Sequence, residues 1–247
     1  TGGTTVNAGT LTLGAAGASG VIRGNLVINS GATVSANASG WSLGYGGTNA
    51  YTGPSVSSIT INGTLNFTGT ALQGGLAAST INMTGGTISG VGFDWFDGYS
   101  SNPVLTTFAS STTSTISTDM ALRLNSDANS LTFNVANGTT SNGIDMLVSG
   151  NIVKRASGLR DGGGITKNGT GRLVLTGNNT YTGATTINAG TIEIGAAGRL
   201  GAGNYTGAIT NNATLIYSGT NNQTLSGAIS GTGALTHNAT STLTLSN

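Results

Sequence analysis

No cysteine occurs in the 247 residues. Disulfide staples are therefore excluded, and an exported chain of this composition has to be held by packing and backbone pairing alone. Charge is nearly as scarce. Only 6% of residues are charged, against about 25% in ordinary soluble domains. The net charge of +1 gives no electrostatic footprint for nucleic acid or an anionic membrane. No run of about 18 apolar residues is present, so nothing in this segment inserts in a membrane as a helix. One histidine, His237, and one glutamate, Glu193, leave little for chemistry. A Ser-His-Asp triad could be built only around His237, which lies beside a bend in ALTHNATSTLTL. There is no second histidine for a metal and no calcium-binding glycine-aspartate nonapeptide. Asp161 with Gly162–Gly164 is a turn without the lysine or helix of a phosphate loop. The expectation is no catalytic residue, no cofactor and no metal. Two prolines, Pro54 and Pro103, leave a β-ladder almost uninterrupted.

What is present is glycine, 43 residues of it, with abundant Thr, Ser and Asn. Such a composition alone suits disorder or low complexity. Short alternating runs argue otherwise: LTL at Leu11–Leu13, NLVI at Asn25–Ile28, SITI at Ser58–Ile61, RLVL at Arg172–Leu175 and TLTL at Thr242–Leu245. Period two and β-branched residues predict strands. The strands repeat. Ile165, Ile187 and Ile209 open similar phrases, ITKNGTGRLVL, INAGTIEI and ITNNATLI, at a step of 22 residues. Each phrase is a strand, an Asn/Gly bend and a second strand. A fixed step of that size predicts stacked coils, an all-β parallel β-helix in which each strand pairs with the same strand one coil on. The rival, a β-sandwich, needs hairpins with two-residue turns between antiparallel strands. At this step the chain makes about 11 coils, a rod on the order of 50 Å long. Asn7, Asn29, Asn62, Asn82, Asn188 and Asn211 recur near the bends and are expected to stack as amide ladders.

Three regions divide the chain without a linker between them: regular coils over 1–90, irregular coils with longer loops over 91–161, and regular coils over 162–247. Thr1–Gly14 matches the second half of the central phrase, Thr182–Gly195, and Thr242–Asn247 matches part of its first half. With no initial Met, the expectation is a length taken from a longer repeat protein.

The segment Gly164–Gly195, GITKNGTGRLVLTGNNTYTGATTINAGTIEIG, resembles the autotransporter-associated β-strand repeat, also called the passenger-associated transport repeat. Thr166, Lys167, Gly169, Gly171, Leu173, Leu175, Gly177, Asn179, Thr180, Tyr181, Thr182, Gly183, Thr185, Asn188, Ala189 and Gly190 follow its pattern. Thr1–Leu13 resembles its second half. Arg172 departs from it, and 91–130 is not covered by it. The resemblance implies a right-handed parallel β-helix, secreted to the bacterial surface or beyond with the help of an outer-membrane translocator barrel as partner. The roles it implies are surface display, adhesion and export.

One local cluster stands out. Phe93, Asp94, Trp95, Phe96, Asp97 and Tyr99 place four aromatics and two carboxylates within seven residues. Such a cluster suits a patch that stacks on sugars or, with the carboxylates across a cleft, acid/base work on glycosides. The plainer reading is an inserted loop packed over the side of the helix. Trp41, Tyr45 and Tyr51 form a second aromatic loop, and Lys154, Arg155 and Arg160 a small basic group. Three functions follow from these readings: a non-catalytic adhesive rod, contacting glycans or other copies of itself and able to form fibres; a polysaccharide-binding or polysaccharide-degrading β-helix; and an export-promoting stalk for a domain elsewhere.

Overall fold

The computed structural model describes residues 2–14, 21–37, 42–43, 56–69, 80–97, 103–123, 129–154 and 163–246, with backbone alone for 93–97 and Arg123. Strands form where the sequence alternates. Ala32–Asn37 and Ser130–Val135 bury every second side chain and leave the others half exposed, the pattern of a half-buried strand.

Two sheets of ten strands run the length of the molecule. The first begins with Thr4–Val6, Gly24–Ile28 and Val56–Ile61 and ends with Thr185–Ile187, Ile209–Asn211 and Ile229–Ser230. The second begins with Gly9–Leu13 and Ala32–Asn37 and ends with Thr214–Gly219 and Ala234–His237. Chain neighbours alternate between the sheets, and every pairing joins equivalent strands of successive coils in parallel. Hairpin pairing, and with it the sandwich, is ruled out for these strands; the fold is a parallel β-helix. Ten rungs about 4.8 Å apart make a stack on the order of 45 Å long. A third side carries shorter ladders: Phe93–Asp97 with Met120–Arg123 and Ile152–Lys154, Asn178–Asn179 with Arg199–Leu200, and Asn204–Tyr205 with Gln223–Leu225 and Leu243–Leu245.

The core is a set of columns. One runs Leu11, Val34, Leu65, Ile88, Ile116, Val148, Leu175, Ile194 and Tyr217 up the second sheet. Another runs Leu26, Ile59, Ile81, Leu105 and Phe133 up the first, all fully buried. Outside the second sheet, Thr10, Thr33, Thr64, Thr87 and Thr115 stack on five consecutive rungs. From the next rung on the outward side chains are Leu147, Val174, Glu193 and Ile216 instead.

The register corrects the expected step. Ile165 pairs with Thr185, Thr185 with Ile209, and Ile209 with Ile229. The steps are 20, 24 and 20, and Ile187 stacks on Lys167 rather than Ile165. The inward face is kept by the pairing and not by the residue count, since Leu11 with Val34 and Leu175 with Ile194 stack inward at odd separations. The longer coil takes up its extra residues on the third side, where a one-turn 3-10 element occupies Gly201–Gly203. The amide ladder is corrected as well. Asn188 donates to Asn168 at 2.8 Å, Asn168 to Asn134 at 3.1 Å, and Asn134 to the Thr106 hydroxyl at 3.4 Å. Asn29 donates to Asn7 at 2.8 Å. Asn82 lies in register with Thr60 and Thr106, the buried Asn62 Oδ1 has no partner, and Asn211 turns inward to the Ala234 carbonyl, 2.9 Å away. The ladder follows strand register, which the spacing of bend residues does not reveal.

Candidate functional site

The aromatic cluster lies on the third side. Phe93–Asp97 is a strand whose Phe93, Asp94 and Trp95 stand in register with Met120, Ala121 and Leu122, and Asp97 with Arg123, across a register shift. Met120 and Leu122 are core residues, so the segment expected as an inserted loop is part of a ladder. Its side chains, together with Tyr99, Trp41, Tyr45, Tyr51, Arg155, Arg160 and Asp161, lie outside what the structure describes.

The described polar groups gather in the later coils, several of them inside. Lys167 occupies the inward position between Phe133 and Ile187 and is 0% exposed. Its Nζ donates to the carbonyls of Asn168, Gly169 and Ala189 at 2.9, 2.7 and 3.2 Å. An ammonium has three donors and no acceptor, so this cradle satisfies it. The carbonyls belong to the corner turns of two successive coils. Gly169 sits at φ 78°, a conformation glycine adopts without strain. Burial lowers the Lys167 pKa to about 8, and the charge of Asp145 partly opposes that. Asp145 is itself 8% exposed and accepts the N–H groups of Gly138 and Arg172, both at 2.7 Å.

A second group fills the later third side. The Tyr181 and Tyr205 rings meet edge to face, with centroids 5.5 Å apart. Thr185 bridges their hydroxyls at 2.9 and 2.8 Å, and Tyr205 donates to the Gly183 carbonyl. Burial raises the pKa of Tyr181 well above its usual range and that of Tyr205 to about 12. Where the third-side ladder is only two residues wide, side chains complete it. Asn179 accepts the Ile152 N–H at 2.9 Å and donates to the carbonyls of Gly177 and Arg199. Gln223 accepts the Leu200 N–H at 2.8 Å and donates to the carbonyls of Leu200 and Thr224. On the outer face Arg172 pairs with Glu193, which also accepts from Ser218 at 2.5 Å. Every one of these groups is engaged with its neighbours, the arrangement of an internal brace. His237 stacks on Tyr217 at 5.9 Å on the last rung of the second sheet. Among the described residues no group of three or more His, Cys, Asp and Glu could hold a metal.

Sequence reasoning picked out Lys167, Asn179, Tyr181 and Thr185 only as letters of a repeat, and did not single out Gln223. The available signal was alternation: Lys167 lies two residues from the inward Ile165, so strand geometry points it inward.

The corners show one geometric departure. Between a first-sheet strand and the next second-sheet strand the connection is two or three residues in eight coils, for example Asn62–Gly63, Thr84–Gly86 and Asn188–Gly190. In two adjacent coils it is longer: Phe108–Thr113 has six residues and Ala136–Asp145 has ten. Between these turns lies a surface groove of ≈ 510 Å³ lined by Ala109, Ser110, Ser111, Asn137, Gly138 and Thr139.

Comparison with curated proteins and with solved structures finds no match. A family model described as Passenger-associated-transport-repeat matches residues 1–13 and 165–194. The second stretch contains Lys167, Asn179, Tyr181 and Thr185, while Asp145, Tyr205 and Gln223 lie outside it. In these two segments the chain is similar to the passenger-associated transport repeat.

Proposed function

We propose that this β-helix is a non-catalytic rod of a secreted autotransporter passenger, displayed at the bacterial surface or in the extracellular matrix, where it acts by adhesion. The observation that carries this reading is the pair of ten-stranded parallel sheets. Backbone ladders and stacked apolar columns supply stiffness and length without a disulfide. The outer surface is neutral and rich in Thr, Ser and Asn, which suits many weak polar contacts with surface glycans. Contacts between copies, end to end or lateral, belong to the same reading. An outer-membrane barrel is the partner during export.

The test compares cells displaying the parent protein with cells displaying a version lacking these residues. Surface display is followed by whole-cell protease accessibility, and adherence on glycan-coated and cell-coated plates. The expected result is unchanged display with adherence reduced severalfold. Full adherence without the segment overturns the adhesive reading, and lost display assigns the segment to export instead.

A further inference from the structure

The two long corner turns depart from the short corners of the other coils, and they are braced. The Ser110 hydroxyl accepts the Thr112 N–H at 3.0 Å, and the Ser110 carbonyl accepts the Thr139 N–H at 2.9 Å, tying one turn to the next. Thr113 donates to the Ile144 carbonyl at 2.8 Å and to Asn142 at 3.3 Å. Asp145 clamps the base of the second turn through Gly138 and, on the following coil, Arg172. The turns approach so closely at Gly138 that a Cβ there would stand 2.2 Å from the Ser110 carbonyl oxygen. The groove is therefore preformed, which spares a ligand the cost of ordering it.

Its chemistry is specific in what it offers. No charged side chain lines it. Ser111, Asn137 and Thr139 present hydroxyls and an amide, groups that both donate and accept. Phe108, next in the chain to the lining residue Ala109, is 53% exposed, and among the described residues only Val21 and Leu245 are comparably exposed large hydrophobics. An exposed aromatic residue one position from a lining of uncharged groups of mixed polarity suits a pyranose, which has an apolar C–H face and a rim of hydroxyls. A charged ligand would find no counter-charge in the lining, and a peptide strand would find no free sheet edge, because both strands that carry the turns are paired on either side.

We propose that the groove between Phe108–Thr113 and Ala136–Asp145 is a binding site for a neutral oligosaccharide, with one sugar ring against Phe108 and its hydroxyls bonded to Asn137 and Ser111. The proposal rests on the adhesive reading and locates it. The test uses the 247-residue chain in isothermal titration with gluco-, xylo-, manno- and N-acetylglucosamine hexamers, at low and at high salt. Phe108→Ala and Asn137→Ala are measured beside it, with thermal unfolding to verify that both fold. The expected result is saturable binding to at least one hexamer, weakened tenfold or more by each substitution and unchanged by salt, since no ion pair is involved. Absence of binding to every hexamer overturns the site, as does binding that both variants retain or that salt abolishes. If glycan-dependent adherence of cells survives in both variants, the groove proposal fails while the adhesive rod stands. If removal of the whole segment leaves adherence unchanged, the rod reading itself fails.

Discussion

The earlier and later coils solve the same packing problem with different residues. In the first sheet the inward column begins Leu26, Ile59, Ile81, Leu105 and Phe133 and then becomes Lys167, Ile187 and Asn211. Fully or nearly buried polar residues cluster from Thr107 onward, with Ser42 the exception. The early coils rely on apolar burial, which is non-directional and tolerates exchange of one aliphatic for another. The later coils add hydrogen-bonded pegs that fit one geometry only, because a buried polar group without its partners is costly. Lys167, Asn179, Thr185 and Glu193 lie within the fuller family match, residues 165–194, and Asn211 and Gln223 beyond it. Residue identity is constrained where partners must be met.

The largest expected effect comes from Lys167. Lys167→Met leaves the carbonyls of Asn168, Gly169 and Ala189 without their donor and should cost about 3 kcal/mol, against about 1 kcal/mol for Ile81→Val in the same column. Native-state hydrogen exchange, which reports stability region by region, should show the loss around Ile187 and not around Ile59. Equal losses would remove the distinction between the two regions. The pH dependence follows from the same group. Folded Lys167 releases its proton near pH 8, while the unfolded side chain keeps it to 10.5. The unfolded chain therefore binds more protons in that window, and stability rises with pH from about 8. Tyr205 acts in the opposite sense: its folded pKa of about 12 exceeds the ordinary 10.0, so stability falls above pH 10. Stability should peak near pH 10, and Lys167→Met should abolish the rise but keep the fall.

Two buried threonines sharpen the comparison through opposite signs. Thr185 satisfies both tyrosine hydroxyls, so Thr185→Val should destabilise by about 2 kcal/mol. Thr107 lies in register between Met83 and Val135, and its buried hydroxyl has no partner. Thr107→Val removes that penalty at nearly constant shape and should stabilise by about 1 kcal/mol. Urea unfolding of both variants decides the matter, and a shift of the same sign in both would contradict the account. The smallest effect is expected on the outer face. Asn188→Ala removes the last amide of the exterior ladder, where water replaces the lost bond, and should change stability by no more than about 0.5 kcal/mol in thermal melts.

Much of the fold was legible because strand alternation and coil repetition are written directly in the residues. Period two in LTL, NLVI and RLVL marked the strands, and the recurring phrases marked their parallel stacking. The repetition was legible too, yet the true steps of 20 and 24 were not, because turns of different length join strands that look alike in sequence. The amide ladder was misassigned for the same reason: Asn134 and Asn168 join it through register, not through their distance from a bend. Less of the candidate site was legible. The aromatic run Phe93–Asp97 drew attention as a compositional anomaly, yet its backbone is a rung of the third-side ladder, with one register shift. The groove lies in a stretch of Ser, Thr, Asn and Gly with no compositional signal.

Sequence by itself determined that this chain is a stack of parallel β-coils without disulfides, nearly without charge, and similar to passenger repeats. Those are properties of local periodicity, which each short segment carries alone. Tertiary structure decided which residues meet between coils. It placed Lys167 in a cradle of three carbonyls, joined Tyr181, Thr185 and Tyr205 across a coil, and set the two long corner turns on adjacent rungs. The cause is physical: side chains 20 to 34 residues apart become neighbours only when backbone ladders fix their register, and that register depends on loop lengths that the repeating pattern does not encode.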